Sequence, residues 1–223
     1  MSHENRPSMK TTFEKLIARA VALREEHTQT HGGVFDIYEF AKEHGVTSIN
    51  HTGDDITIRA SDETHQTWEC DIPVHHSEDA RRFILAMLTG WVVLRDENSP
   101  NELTVNDPTS RTGDYDSLEE IDAELFAYAL MIPEKALDDA SITPLYDGSL
   151  SKLTKAIRGA KDDIASKLGV PPMIVVNYTG LRWALYQAKM EESLRASLEA
   201  AREKRLARNK RRNRSTRFGG WDD

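Results

Sequence analysis

RFILAMLTGW, residues 82–91, belongs to a run in which Phe83, Ile84, Leu85, Ala86, Met87, Leu88, Trp91, Val92, Val93 and Leu94 leave almost no polar face. A helix with that pattern is enclosed by protein on most sides. Ser77 stands at the N-cap position, and Glu78 and Asp79 fill the first turn, where the helix dipole favours acids. A second strongly apolar helix is expected from about Ser117 to Met131, stopped by Pro133, with a short helix over 133–140. These two buried helices form the expected centre of the fold, and the remaining segments arrange themselves around them.

On the N-terminal side, Phe13, Leu16, Ile17, Ala20 and Leu23 fall at helical spacing, which predicts an amphipathic helix over 10–26. HTQTHGGV (27–34) reads as a loop. In FDIYEFAKEHGV, Asp36 is the expected N-cap with Glu39 at N3, Phe35 is placed to staple onto Phe40, and Gly45 supplies a left-handed stop. The period then changes to two. DITIRA and TWECDI alternate apolar and polar residues on either side of the polar loop SDETHQ, and Val46–Asn50 is the candidate third strand. Residues 95–116 read as a long polar loop. A helix over 151–168 closed by Gly169 and a further helix opened by Pro171–Pro172 follow, and the pattern from Leu181 to about Lys210 is a single long helix. The expected class is α+β, mainly helical, with a small antiparallel or mixed three-stranded sheet.

The chain has 223 residues, 39% of them hydrophobic and 30% charged, enough for a real core under a well-solvated surface. No run of about 18 apolar residues occurs, so no membrane span is expected. MSHENRPSMK has no apolar signal core, and the single cysteine, Cys70, excludes an internal disulfide framework and fits a reducing cytoplasm. The net charge of −8 is unevenly spread: residues 202–217 hold nine basic side chains and one acid, a local +8, so the remainder carries −16.

The two apolar helices resemble those of the ImmA/IrrE family of zinc metallopeptidases. In that family the first helix reads Arg-Phe-x-x-Ala-His-Glu-Leu-Gly-His and the second Glu-x-x-Ala-Asn-x-Phe-Ala-x-x-Leu-Leu-Met-Pro. Arg82, Phe83, Ala86 and Gly90 fall on the first pattern, and Glu120, Ala123, Phe126, Ala127, Leu130 and Pro133 on the second. The capped helix at 36–45, the small sheet and LGVPPMIVVNYTGLRW follow the same layout, so the resemblance covers roughly residues 12–186. It implies a zincin-like helical core in a domain over 10–148 and a helix-turn-helix-like region over 149–200; residues 201–223, beyond it, read from their charge as a basic, unstructured tail.

The chemistry departs from the family. Its first zinc histidine position is Met87, its catalytic glutamate Leu88 and its second zinc histidine Trp91; of the ligands only Glu120 remains. A catalytic zinc needs three N, O or S ligands with a water position left open, and one carboxylate does not hold it. The general base, typically worth about 10²- to 10⁴-fold, is gone as well. The expected catalytic set is therefore empty and no cofactor is expected, since zinc would follow only from an intact motif. A relocated metal site would have to draw on His75, His76 and Glu120, with Asp114 and Asp116 nearby. Set against that, His75–His76 read as a polar loop before an N-cap, and Glu120 as the third residue of a capping box begun by Ser117.

Two further readings concern partners. DIASKLGVPPMIVVNYTGLRW has the outline of a helix-turn-helix, whose second helix reads the major groove from its N-terminal residues. Here that helix begins with apolar residues and offers only Asn177 and Arg182, which favours packing. The basic tail, Arg202, Lys204, Arg205, Arg208, Lys210, Arg211, Arg212, Arg214 and Arg217, offers an anionic partner a cluster of positive charge. The resemblance implies regulatory cleavage of a repressor; with the ligands missing, the expected survivor is a protein that binds such a regulatory partner without cutting it, encoded by a phage or mobile element and working in the cytoplasm of a bacterium or a phage-infected host cell. Nucleic-acid binding through the tail and an active peptidase with a displaced metal are the alternatives. The 181–210 helix is also a candidate for pairing with a second copy.

Overall fold

The computed structural model describes residues 9–193 apart from 63, 65, 97–98, 109–116 and 147. Those up to Gly180 form one compact unit, and those from Leu181 a second. The basic tail lies outside the described residues.

Helix α1 runs Met9–Thr30, α2 Ile37–Glu43, α3 Glu78–Leu94, α4 Leu118–Met131, α5 Glu134–Asp139 and α6 Leu150–Leu168, and α7 begins at residue 172 and is described to 193. The cap residues act as their chemistry dictates. Asp36, Ser77 and Ser117 each accept a hydrogen bond from a backbone N–H of the first turn they precede. Phe35 meets Phe40 at 5.6 Å between ring centroids, closing the staple. Gly169 ends α6 in the left-handed region, φ 62°.

Two expectations are corrected. Helix α1 does not end at 26. It continues through HTQT, where Thr28 and Thr30 return their hydroxyls to carbonyls one turn back, and it stops only at Gly32 and Gly33, with φ 73° and 90°. The segment 95–116 is not all loop, because Glu102–Val105 forms a fourth strand. Strands β1 (Val46–Asn50), β2 (Ile56–Ala60), β3 (Trp68–Asp71) and β4 (Glu102–Val105) lie in the order β1-β3-β2-β4. β1 is parallel to β3, while β2 runs antiparallel to both β3 and β4, so the sheet is mixed and four-stranded. Ile56, Ile58, Trp68, Cys70, Leu103 and Val105 are all buried, giving the sheet one apolar face. On exposed positions Arg59 reaches Asp71 at 2.9 Å and Glu69 at 3.4 Å across the strands.

The core is centred on α3 and α4, with α1 packed on α4. Gly90 of α3 is the point of closest approach. A Cβ there would lie 2.8 Å from Phe126 Cδ1 and 3.2 Å from the Ala123 carbonyl oxygen, so only glycine lets α4 come so near. Phe83 meets Tyr128 at 5.3 Å, and Tyr128 stacks on Tyr178 of α7 at 5.8 Å. Arg24 of α1 donates to the Leu130 carbonyl at the C-terminal end of α4 and lies over the Phe35 ring at 4.4 Å, tying α1 to α4 where the dipole favours a cation. Burial lowers its pKa to about 10, which still leaves it charged at neutral pH.

Candidate functional site: a filled centre between two helices

The side chains at 87, 88 and 91 are set by α3, which Ser77 starts and which buries every residue from Phe83 to Trp91. Met87 and Leu88 have no solvent exposure and Trp91 only 2%. Trp91 stands edge-on to Trp68 of β3 at 5.3 Å with their planes at 89°, and Arg95 covers both rings, at 4.6 Å from Trp68 and 5.6 Å from Trp91. The large ring thus fills the space between α3 and the sheet. Its Nε1–H is buried with no hydrogen-bond partner, a donor enclosed at a position where a ligand would need a lone pair.

Glu120 is fully buried in the first turn of α4. Its backbone N–H donates to Ser117 Oγ at 3.1 Å, the first half of the capping box. Its carboxylate crosses to the sheet and accepts the Asn106 backbone N–H at 3.0 Å, just past β4. The residue therefore helps hold the end of β4 against α4. One turn further along, Glu124 is also buried, 2% exposed, and accepts the Tyr128 hydroxyl at 2.8 Å.

The histidines before α3 separate in environment. His75 is exposed and His76 buried, with their rings 4.3 Å apart, and His76 Nδ1 lies 4.0 Å from Asp107 Oδ2. Burial holds the His76 pKa below its ordinary value, partly offset by the Asp107 charge. The loop just after β4 thus meets Glu120 through Asn106 and His76 through Asp107. His75, His76 and Glu120 do not converge on one point as metal donors. Asp114 and Asp116 lie outside the described residues, as do the tail positions Arg202 to Arg217. In the helix-turn-helix-like segment, Ile174, Val175, Tyr178 and Thr179 of α7 are buried, while Met173 and Asn177 are exposed, so the start of that helix is largely spent on packing.

The one group of three converging donors among the described residues is elsewhere: His27, His31 and Glu43. Sequence reasoning passed over it because 27–34 reads as a loop. The signal was the His-x-x-x-His spacing, which means one face only if α1 continues.

A family model described as the IrrE N-terminal-like domain matches residues 41–178. No curated protein matches the chain significantly. The matched residues run from α2 through the sheet and the α3–α4 pair into α7. The zinc implied by the metallopeptidase resemblance does not fit the residues at its place: a thioether, an isobutyl group and an indole N–H replace two imidazoles and a carboxylate, and Glu120 is engaged by a backbone N–H. On this match, and on the packing of the two motif helices against each other, the chain belongs to the family of the IrrE N-terminal-like domain.

Proposed function

We propose that the protein is a catalytically inactive member of its family, one that acts by binding a regulatory protein, a repressor or a relative of one, and that it is encoded by a phage or mobile element. The observation that carries this reading is the complete burial of Met87, Leu88 and Trp91 at the three positions where the family's resemblance places two zinc ligands and the general base. Apolar filling removes the cost of leaving buried ligands unpaired, which is how a scaffold can lose its metal and keep its fold. What survives such a change is shape, and shape suffices for recognition. The test is to mix the purified protein with the repressor encoded beside its gene. A stoichiometric complex with both chains intact is the expected result, and zinc-dependent, chelator-sensitive cleavage of the repressor overturns it.

A further inference from the structure

The C-terminal end of α1 and the short helix α2 bring three metal-competent side chains together. His27 and His31 stack at 4.2 Å between ring centroids. His27 Nδ1 lies 2.7 Å from Glu43 Oε2, and His31 Nε2 lies 3.2 Å from Glu43 Oε1. One donor atom from each residue falls within 4.8 Å of the other two. We propose that His27, His31 and Glu43 form a binding site for a zinc-class divalent transition cation, separate from the filled centre between α3 and α4.

The protonation pattern supports this. His31 Nδ1 lies 3.0 Å from the His27 carbonyl oxygen. A carbonyl can only accept, so Nδ1 carries the proton, and in the neutral ring Nε2 presents its lone pair to the Glu43 carboxylate. Two lone pairs face each other there unless a proton or a metal ion lies between. A backbone carbonyl fixing the far nitrogen is also how metal-ligating histidines are commonly oriented. His27 is 3% exposed, its Nδ1 faces Glu43 and its Nε2 is buried with no hydrogen-bond partner, so in the neutral ring the Nδ1–H donates to the carboxylate, and it is this proton that a metal would replace.

The geometry is close to a metal's requirement. Tetrahedral zinc with bonds of about 2.0–2.1 Å sets its ligand atoms about 3.3 Å apart. The two contacts use different carboxylate oxygens, 3.2 Å from His31 to Oε1 and 2.7 Å from His27 to Oε2, so a cation held by one oxygen needs a small turn of the Glu43 carboxylate, and the shorter contact has to open by about 0.6 Å as metal replaces proton. The inner wall is rigid, since His27 packs edge-on against Phe35 at 5.4 Å and Phe40 at 5.7 Å. The outer side is open, with the His31 and Glu43 side chains 35% and 40% exposed, which leaves room for a water as fourth ligand. His27 and His31 precede the residues matched by the family model, so the site joins the N-terminal helix to the family domain. A cation there would clamp α1 to α2.

The experiment is titration of the full chain, carrying no histidine tag, with Co²⁺ followed by visible absorption, and with Zn²⁺ followed by calorimetry. The expected result is one ion per chain with the intense absorption of a four-coordinate cobalt site. His31→Ala and Glu43→Gln, both partly exposed and so tolerant of change, should each weaken binding by about 100-fold or more, since even outer partners of metal ligands are worth about 10- to 100-fold. His75→Ala should leave the affinity unchanged. Absence of saturable binding in the unaltered protein overturns the proposal, as does binding that survives both His31→Ala and Glu43→Gln.

Discussion

Placing at Leu88 the glutamate that the family resemblance puts at this position separates a filled core from an open cleft. Leu88 has no exposure, and its neighbours from Phe83 to Trp91 along α3 are all buried, so a carboxylate placed there loses its water. Full burial raises a carboxyl pKa by about 3 units or more. At about 1.36 kcal/mol per unit, this puts the charge penalty near 4 kcal/mol once the group is ionised. Leu88→Gln carries the same loss of packing without the charge, so the difference between Leu88→Glu and Leu88→Gln isolates the penalty. The folded carboxyl keeps a proton that the unfolded chain releases, so the penalty grows as pH rises from about 4.3 through the folded value. Urea unfolding followed by tryptophan fluorescence should give a Glu–Gln difference of about 4 kcal/mol at pH 8 and only about 1 kcal/mol at pH 5. A Glu variant that is unfolded at pH 8 and folded at pH 5 is the same result in its extreme form. Equal stability of the two variants at pH 8 would mean that position 88 reaches water, and the reasoning fails.

Three further outcomes are expected. Gly90→Ala drives a methyl to 2.8 Å from Phe126 and 3.2 Å from the Ala123 carbonyl, and should cost about 1–3 kcal/mol in chemical denaturation; an unchanged midpoint would show that α3 and α4 do not approach as described. His76, held low by burial, should titrate below 6.5 by NMR, so the stability it contributes is present above that pH and lost as pH falls through its folded value; a midpoint at or above 6.5 contradicts the burial. Removal of residues 200–223 should abolish any binding to duplex DNA or RNA and its steep salt dependence, because nine of the basic side chains go with it; equal binding by the shortened chain rules out the tail as the contact.

What the sequence revealed was governed by how local the cause is. The caps at Asp36, Ser77 and Ser117 and the stops at Gly45 and Gly169 act within one turn, and all are found where their residue types place them. β4 was hidden because ELTV offers only Leu103 and Val105 as inward residues, and its strand character comes from pairing with the distant strand β2, Arg59 with Glu102 and Ile56 with Val105. The extension of α1 was hidden by threonines and histidines of modest helix propensity, which contacts with Glu43 of α2 help to hold. Positions 87, 88 and 91 were legible as core from hydrophobicity alone, but as the counterparts of a zinc-peptidase motif only through the resemblance of the residues around them. Glu120 was ambiguous between cap and ligand. Its second partner, the Asn106 N–H, comes from a distant strand end that no local pattern could announce.

Zinc-edge anomalous diffraction from crystals grown with excess zinc addresses the filled centre directly, because it locates metal by position rather than by stoichiometry. Density at His27, His31 and Glu43 is compatible with everything above. Between α3 and α4 the map should show the Met87, Leu88 and Trp91 side chains packed together, with no anomalous peak within bonding distance of the Glu120 carboxylate. A peak there, with Glu120 as a ligand, would contradict the account.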